Sequence, residues 1–188
     1  VADAYIARLA ARAGNLACGN PAQEQVHIGP LINEVQAKRV EGIVNRSVEM
    51  GARIVVGGRR NDNYYEPTVI ADVTSDMPVF SEEVFGPVAP VMTFDSDSEA
   101  RDLVNESPYG LAAAIHSGST ERALKIANQI QVGMIHINDQ TVNNEFQVPF
   151  GGMGSSGNSG RFGGPANIEE FTTSQWVSVM EEGMQYPF

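Results

Sequence analysis

Three sets of side chains in this sequence could take part in chemistry: one cysteine, three histidines and a pair of adjacent glutamates. The cysteine, Cys18, follows a helical pattern and precedes the turn-forming run Gly19-Asn20-Pro21. A thiol becomes a good nucleophile when a neighbouring base or positive charge lowers its pKa. The sequence places no such base beside Cys18, so we interpret it as a small buried residue without a catalytic role.

The histidines His27, His116 and His136 offer no metal-binding pattern. No two of them have the spacing of a ligand pair, and the helical H-E-x-x-H motif does not occur. A single cysteine also excludes a Cys-based zinc site and an internal disulfide. His136 lies in an apolar run, which favours a hydrogen-bonded histidine in the core or at a sheet edge. The sequence therefore predicts no metal site.

The adjacent acidic residues Glu82 and Glu83 have two interpretations. Neighbouring carboxylates usually form a solvated surface pair. The alternative is that one of them accepts hydrogen bonds from a sugar diol, as acidic residues do on the ribose of a nucleotide cofactor. In that case the aromatic residue Phe85 could pack against a flat ring. The residues alone leave both interpretations open.

A glycine-rich segment, Phe150–Gly164, contains one literal match to G-x-G-x-x-G at residues 152–157. That motif binds a pyrophosphate only when a strand precedes it and a helix N-terminus follows it. Here Asn158-Ser159-Gly160 follows and no helix is predicted, so we interpret the match as accidental. The density of glycine still predicts a loop whose backbone approaches another part of the molecule closely.

Composition limits the classes of partner. The chain has 188 residues, with 12 Lys and Arg against 23 Asp and Glu, and a net charge of −11. This charge repels phosphate backbones and anionic lipids, so no nucleic-acid or membrane partner is expected. One cysteine suits a reducing cytoplasm. The chain begins at Val1 without a signal-peptide pattern, which we interpret as a processed, cloned or truncated product.

Helical and strand patterns alternate along the chain and must position these residues. Helices are predicted from Val1 to Leu16, from about Asn33 to Met50, after a cap at Asp97 or Ser98, and after a cap at Ser119 or Thr120. Strands are predicted at Arg53–Val56, Tyr64–Ile70, Val88–Phe94, Leu111–Ile115, Met134–Ile137 and Gln175–Met180. This order predicts an α/β fold in one domain, with a mainly parallel sheet and helices on both of its faces.

Several short motifs, taken in order, resemble one enzyme family. The run Glu82-Glu83-Val84-Phe85-Gly86-Pro87 is similar to the E-E-x-F-G-P signature of aldehyde dehydrogenases. Other segments resemble that family in the same order: Gly29-Pro30-Leu31, Glu66-Pro67-Thr68-Val69, Pro108-Tyr109-Gly110-Leu111-Ala112, Gly133–Asn138, Pro149-Phe150-Gly151-Gly152 and Glu170-Phe171-Thr172. Residues 136–144 and the terminal Tyr186-Pro187-Phe188 are most similar to the benzaldehyde and vanillin-type members.

The resemblance implies a definite reaction. In that family a cysteine thiolate attacks the aldehyde carbon to give a thiohemiacetal, whose oxyanion is held by hydrogen-bond donors. Hydride passes to NAD or NADP, and a glutamate general base activates the water that releases the carboxylic acid. The cofactor sits mainly on a Rossmann-like domain.

The sequence departs from the family pattern at its catalytic groups. Its resemblance begins after the family's G-Q-x-C tetrapeptide, and the E-L-G-G-K-type segment with the general-base glutamate is missing too. We therefore expect the C-terminal portion of such an enzyme: residues 1–172 as a catalytic-domain portion lacking its first strand, and residues 173–188 as an oligomerisation strand and tail. The dinucleotide-binding domain, and with it the choice between NAD and NADP, would lie elsewhere. The isolated chain is expected to need no cofactor and to be inactive.

Four site residues follow from the resemblance. Glu83 matches the family's ribose-binding glutamate, and Phe85 matches the aromatic residue near the nicotinamide. Phe150 matches the phenylalanine at the floor of the substrate tunnel. Asn138 and the stretch Val142–Phe146 are expected on the aldehyde-binding side, where an aromatic aldehyde would suit the pocket.

Two other interpretations stay open. The chain could be a non-catalytic assembly module of the same fold, forming a homo-oligomer by pairing Gln175–Met180 with a neighbouring subunit. It could also belong to the acyl-phosphate reductases, which share the fold. Cys18 beside an ionisable neighbour in a deep cleft would contradict the expectation that the nucleophile lies outside this chain.

Overall fold

The computed structural model describes residues 1–185 and residue 187, and the chain divides into two units, Val1–Ser107 and Pro108–Phe188. The predicted boundary between residues 172 and 173 stays a prediction. No helix in the described residues has the length and apolar character needed to cross a membrane.

The first unit contains four helices and five strands. The helices are α1 (Ala2–Gly14), α2 (Glu34–Glu49), α3 (Pro78–Ser81) and α4 (Asp97–Glu106). The strands are β1 (Arg53–Val56), β2 (Arg60–Asn61), β3 (Tyr64–Tyr65), β4 (Thr68–Ala71) and β5 (Val88–Pro90). The second unit contains β6 (Tyr109–Gly110), β7 (Ala112–Ile115), α5 (Thr120–Ala127), β8 (Met134–Ile137), β9 (Met153–Gly154) and α6 (Ala166–Phe171).

Helix α2 is the main packing element of the first unit. The side chain of Asn33 accepts a hydrogen bond from the Gln36 backbone N–H at 2.9 Å and caps the helix. Gly51, with φ +115°, follows the helix in the left-handed conformation that favours glycine. The apolar face of α2 packs with strand and α3 residues into a core made of Val40, Ile43, Val44, Ala52, Tyr65, Ile70, Val73, Met77 and Val79. The predicted helix from about Asn33 to Met50 is confirmed.

Strand β4 is the centre of a three-stranded sheet. It pairs antiparallel with β1, where Arg53 lies opposite Ala71, and parallel with β5, where Thr68 lies opposite Val88. All four residues of β4 are buried, and Ile70 belongs to the core that the apolar face of α2 covers. Helix α1 contacts β1 and β4.

The second unit is built on a parallel strand pair joined by a helix. Strands β7 and β8 align in register from Ala112–Met134 to Ile115–Ile137. The crossover helix α5 starts at Ser119, whose side chain accepts a hydrogen bond from the Arg122 backbone N–H at 3.2 Å. This arrangement confirms the predicted strand Met134–Ile137 and the cap at Ser119.

The predicted mainly parallel sheet is not confirmed. In the described part of the chain the strands form four separate small sheets: β4–β5 and β7–β8 pair in parallel, whereas β1–β4, β2–β3 and β6–β9 pair antiparallel. The hairpin β2–β3 needs only the two residues between its strands, and Asp62 there adopts φ +52°. The α/β class stands, and helices on both sheet faces stay a prediction.

Two smaller differences separate the predicted elements from those of the structure. Ser96, not Asp97 or Ser98, caps α4, because its side chain accepts a hydrogen bond from the Glu99 backbone N–H. The predicted loop Phe150–Gly164 contains β9 and a backbone bridge between Phe150 and Phe162.

The predicted strand Gln175–Met180 does not form in the described residues. These six residues have no strand assignment and are exposed, with Trp176 at 93% exposure. A strand requires a hydrogen-bonded neighbour, and this segment has none within the described chain. Tyr186 and Phe188 lie outside the described residues.

Candidate functional site

The segment that follows α3, residues 82–87, is held against α2. The carboxylate of Glu82 forms an ion pair with Arg46 at 2.8 Å, and Arg39 lies 3.7 Å from its other oxygen. A Cβ atom at Gly86 would lie 2.8 Å from a methyl group of Val40, so glycine is needed for this close approach. The segment therefore lies directly on the helix surface.

The two adjacent glutamates have different environments. Glu82 is half-buried and ion-paired, whereas Glu83 is exposed. Among the described residues the carboxylate of Glu83 has no hydrogen bond and no ion pair, so its oxygens are available to a ligand. Phe85 is 69% exposed, and its φ of +52° turns the chain between Val84 and Gly86.

A second group of candidate residues surrounds an apolar cavity of about 520 Å³ in the second unit. The rings of Phe150 and Phe162 lie against each other, with centroids 5.1 Å apart and planes tilted by 49°. Their backbones exchange two hydrogen bonds, of 2.7 and 3.1 Å, which fix the ring pair. The cavity is lined by Asn144, Glu145, Phe146, Val148, Phe150, Phe162, Gly163 and Asn167.

The sequence identified part of this cavity. Phe150 lines it, as do residues 144–146 of the predicted stretch Val142–Phe146. Phe162 was missed. The only signal for it in the sequence was an aromatic residue inside a glycine-rich loop.

Asn138 lies apart from that cavity lining and is held by Ser117. Its side-chain oxygen accepts a hydrogen bond from the Ser117 N–H at 2.8 Å, and its amide nitrogen donates to the Ser117 carbonyl at 3.1 Å. Its backbone is left-handed, with φ +56°. These bonds fix the turn after β8, while a role of Asn138 in substrate binding stays a prediction.

Cys18 lies at the edge of two cavities, of about 740 and 340 Å³, that also share Glu66. Its thiol donates to the carbonyl of Tyr65 at 3.6 Å. Burial raises the pKa of the Cys18 thiol, and the negative charge of Glu66 raises it further. An ionisable neighbour is thus present, but it favours the protonated thiol over the nucleophilic thiolate.

His136 differs from its prediction. Its Nε2 atom is buried and has no hydrogen-bond partner among the described residues, although a hydrogen-bonded histidine was expected. In the described part of the chain, no three His, Cys, Asp or Glu residues cluster in a way that could hold a metal ion.

Comparison with known proteins identifies the family of the chain. The model of the aldehyde dehydrogenase family matches residues 1–177. The chain therefore belongs to the aldehyde dehydrogenase family. The predicted family is confirmed, as is the similarity to benzaldehyde and vanillin-type members.

Two curated relatives are matched over nearly the whole chain. A benzaldehyde dehydrogenase [NAD(+)] of Pseudomonas putida is 54% identical over 100% of this chain and 39% of its own length. A vanillin dehydrogenase of an Amycolatopsis species is 46% identical over 99% of this chain and 38% of its own length. The chain thus spans about 39% of the length of these relatives.

Solved structures support the fold. A salicylaldehyde dehydrogenase from Pseudomonas putida G7, complexed with salicylaldehyde, superposes with a TM-score of 0.92 at 35% identity, covering 100% of this chain and 39% of that one. An aldehyde dehydrogenase from Mycobacterium tuberculosis, complexed with NAD+, gives a TM-score of 0.85 at 37% identity, covering 92% of this chain and 36% of that one.

Proposed function

We propose that this chain forms part of an NAD(P)-dependent dehydrogenase that oxidises an aromatic aldehyde to the carboxylic acid. The observation that carries the proposal is the 54% identity to a benzaldehyde dehydrogenase along the entire chain. The apolar cavity supports an aromatic substrate, because the rings of Phe150 and Phe162 offer faces and edges against which another ring can pack.

The residues of the first unit fit a nicotinamide nucleotide. An ionised carboxylate only accepts hydrogen bonds, and the exposed, unpaired oxygens of Glu83 suit the two hydroxyl groups of a ribose. The exposed ring of Phe85, two residues on, gives a flat apolar surface beside that carboxylate. The nucleotide, when bound, supplies the hydride acceptor, while Glu83 and Phe85 bind and orient it.

The nucleophile and the general base lie outside this chain in our proposal. The pKa of the Cys18 thiol is raised, and the thiol donates a hydrogen bond to the backbone carbonyl of Tyr65. Both features favour the protonated thiol, whereas a nucleophilic cysteine needs the thiolate. The whole protein's thiolate would form the thiohemiacetal, and the 188-residue chain alone would not turn over. The expectation that the chain is the C-terminal portion of the enzyme rests on motif order and stays a prediction, as does a cytoplasmic location.

An assay of NADH or NADPH formation tests the proposed function. The whole protein that contains this chain should oxidise benzaldehyde with a higher kcat/KM than acetaldehyde, because a benzene ring buries more apolar surface against Phe150 and Phe162 than a methyl group does. The 188-residue chain in the same assay should give no turnover. Activity of the isolated chain comparable to that of the whole protein, or a preference for acetaldehyde, would overturn the proposal.

The second candidate function is a non-catalytic assembly module, and the exposed tail favours it. Four apolar residues of this tail are each at least 61% exposed, in a segment without a strand partner among the described residues: Trp176, Val177, Val179 and Met180. A neighbouring copy could pair with this segment by strand addition. Light scattering should then give a dimer or larger assembly for the 188-residue chain and a monomer after removal of residues 173–188; a monomer in both would count against it.

A further inference from the structure

We propose that the larger of the two cavities beside Cys18 binds an amino acid that carries a second, side-chain ammonium group. The cavity, of about 740 Å³, lies within the first unit. Its lining includes no residue of the 82–87 segment, so this site is not the one proposed to hold the nucleotide. The basis of the proposal is a set of charged side chains that line the cavity and have no partner among the described residues.

One wall of the cavity is a face of the β2–β3 hairpin. In that hairpin Asn61 lies opposite Tyr64. The next pair outward is Arg59 and Glu66, because the Glu66 N–H donates to the Arg59 carbonyl at 3.0 Å. Side chains alternate between the two faces of a strand, so these four residues share one face. All four line the cavity.

The other wall is formed by the turn that follows α1. The Asn20 carbonyl accepts a hydrogen bond from the Glu24 N–H at 3.1 Å, which folds the turn back on itself. One carboxylate oxygen of Glu24 lies over Gly19, in the space that a Cβ atom would occupy there. The thiol of Cys18 donates to the Tyr65 carbonyl at 3.6 Å and so joins the turn to the hairpin. Both walls are therefore held by backbone contacts.

Three charged side chains on these walls have no partner. Arg59 and Glu66 are direct neighbours across the hairpin, a position at which opposite charges can pair. In the part of the chain that the structure describes, however, neither of them nor Glu24 forms an ion pair or a side-chain hydrogen bond. Arg60 also lines the cavity, but its guanidinium is paired with Glu41 at 2.9 Å. The cavity thus offers two free carboxylates and one free guanidinium.

These free groups define the charges of the ligand. A carboxylate accepts hydrogen bonds from an ammonium group, and a guanidinium donates two parallel hydrogen bonds to a carboxylate. Two ammonium groups and one carboxylate, as in L-lysine, complement the two glutamates and Arg59 one for one. The uncharged polar groups of Asn61 and Tyr64 line the same cavity and can complete the hydrogen bonding of the ligand. The net charge of −11 on the chain also favours a ligand of net positive charge.

Calorimetric titration of the whole protein with three probe molecules tests this charge requirement. L-Lysine carries both ammonium groups and the carboxylate, L-norleucine lacks the side-chain ammonium group, and cadaverine lacks the carboxylate. L-Lysine should bind with a Kd in the millimolar range or below. Each of the other two should bind about fivefold or more weakly, because each loses one charge-assisted contact. Equal binding of the three probes, or no binding of L-lysine at millimolar concentrations, would overturn the proposal.

Substitutions on the hairpin face then locate the site. Arg59→Gln and Glu66→Gln should each raise the Kd for L-lysine about fivefold or more. Arg12→Gln and Glu49→Gln are the matched controls, because both residues are exposed in the same unit and neither lines the cavity. The Kd of each control should stay within about twofold of the wild type. Equal losses in the cavity variants and the controls would refute the site.

The binding of cadaverine separates a direct contact of Arg59 from a structural effect. Cadaverine has no carboxylate for the guanidinium to bind, so Arg59→Gln should leave the Kd for cadaverine unchanged or lower it, since a positive charge is removed from the wall. A variant that had lost the shape of the cavity would bind both probes less tightly. Equal losses of L-lysine and cadaverine binding in Arg59→Gln would therefore contradict the proposal.

Discussion

At the scale of single residues, two neighbouring glutamates have different roles because one is ion-paired and the other is not. Arg46 and Arg39 surround Glu82, which leaves Glu83 as the free acceptor on the segment. An exposed ion pair such as the one at Glu82 contributes only about 0–1 kcal/mol, so its main effect here is orientation. The chemistry of the segment depends on the unpaired carboxylate.

Glu83→Gln in the whole protein tests that assignment. The change removes the charge that strengthens hydrogen bonds from the ribose hydroxyls, so the KM for NAD or NADP should rise by about tenfold or more. Steady-state kinetics measure it, with Glu106→Gln, an exposed glutamate of the same unit, as the control. An unchanged KM for the nucleotide would remove Glu83 from the binding site.

The burial of Tyr65 leads to a prediction of how the free energy of unfolding depends on pH. It is fully buried, and its hydroxyl has no hydrogen-bond partner among the described residues. Burial, followed by the charges of Glu41 and Glu66, raises the pKa of Tyr65 to about 12. The folded state favours the protonated phenol. The stability that this preference contributes is complete below the pKa of tyrosine in the unfolded chain, near 10, and is lost as the pH rises from about 10 towards 12.

Urea unfolding at pH 7, 10 and 11 measures the effect. Wild type should lose free energy of unfolding between pH 10 and 11, and Tyr65→Phe should lose less. At pH 7 the variant should be as stable as the wild type or more stable, since it buries no unpaired hydroxyl. A destabilisation above about 1 kcal/mol at pH 7 would show that the hydroxyl has a partner.

At the scale of elements, α2 supports both the core and the candidate site. Asn33→Ala removes the side-chain cap and should lower the free energy of unfolding by about 1 kcal/mol. Urea denaturation measures it against Glu49→Ala at the other end of the helix, which should change stability by less than about 0.5 kcal/mol. Equal effects of the two substitutions would mean that the cap contributes nothing specific.

Helices and strands whose apolar residues recur with a clear periodicity were predictable from the sequence, and very short elements were not. Helix α2 and strand β8 follow from periodic or continuous apolar residues with a cap or glycine nearby. The hairpin β2–β3 and the helices α3 and α6 have two to six residues per element, too few for a period to show. Strand direction depends on which segments pair in three dimensions, so local patterns did not indicate that β4 pairs antiparallel with β1 and parallel with β5.

The candidate site was predictable where a motif carried it. Glu83, Phe85 and Phe150 belong to recognisable runs, so their places could be proposed from the sequence. Phe162 lies against Phe150, 12 positions away in the sequence, and no local pattern reports such a contact. The missing hydrogen bond at His136 likewise depends on the packing around β8.

At the scale of the whole molecule, the chain belongs to the aldehyde dehydrogenase family. It spans about 39% of the length of its curated relatives. Its described residues offer a free carboxylate and an exposed ring in one unit and an aromatic cavity in the other, but no activated nucleophile. In the proposed function, the reacting sulfur is not the one in this chain.

Replacement of the single cysteine tests whether the nucleophile lies outside this chain. The variant Cys18→Ser of the whole protein is assayed for NAD(P)H formation with benzaldehyde. Its kcat should stay within about twofold of the wild type, because a protonated thiol that is hydrogen-bonded to a backbone carbonyl takes no part in the attack. A loss of about a thousandfold or more, the size expected when a covalent nucleophile is removed, would contradict the account and place the chemistry at Cys18.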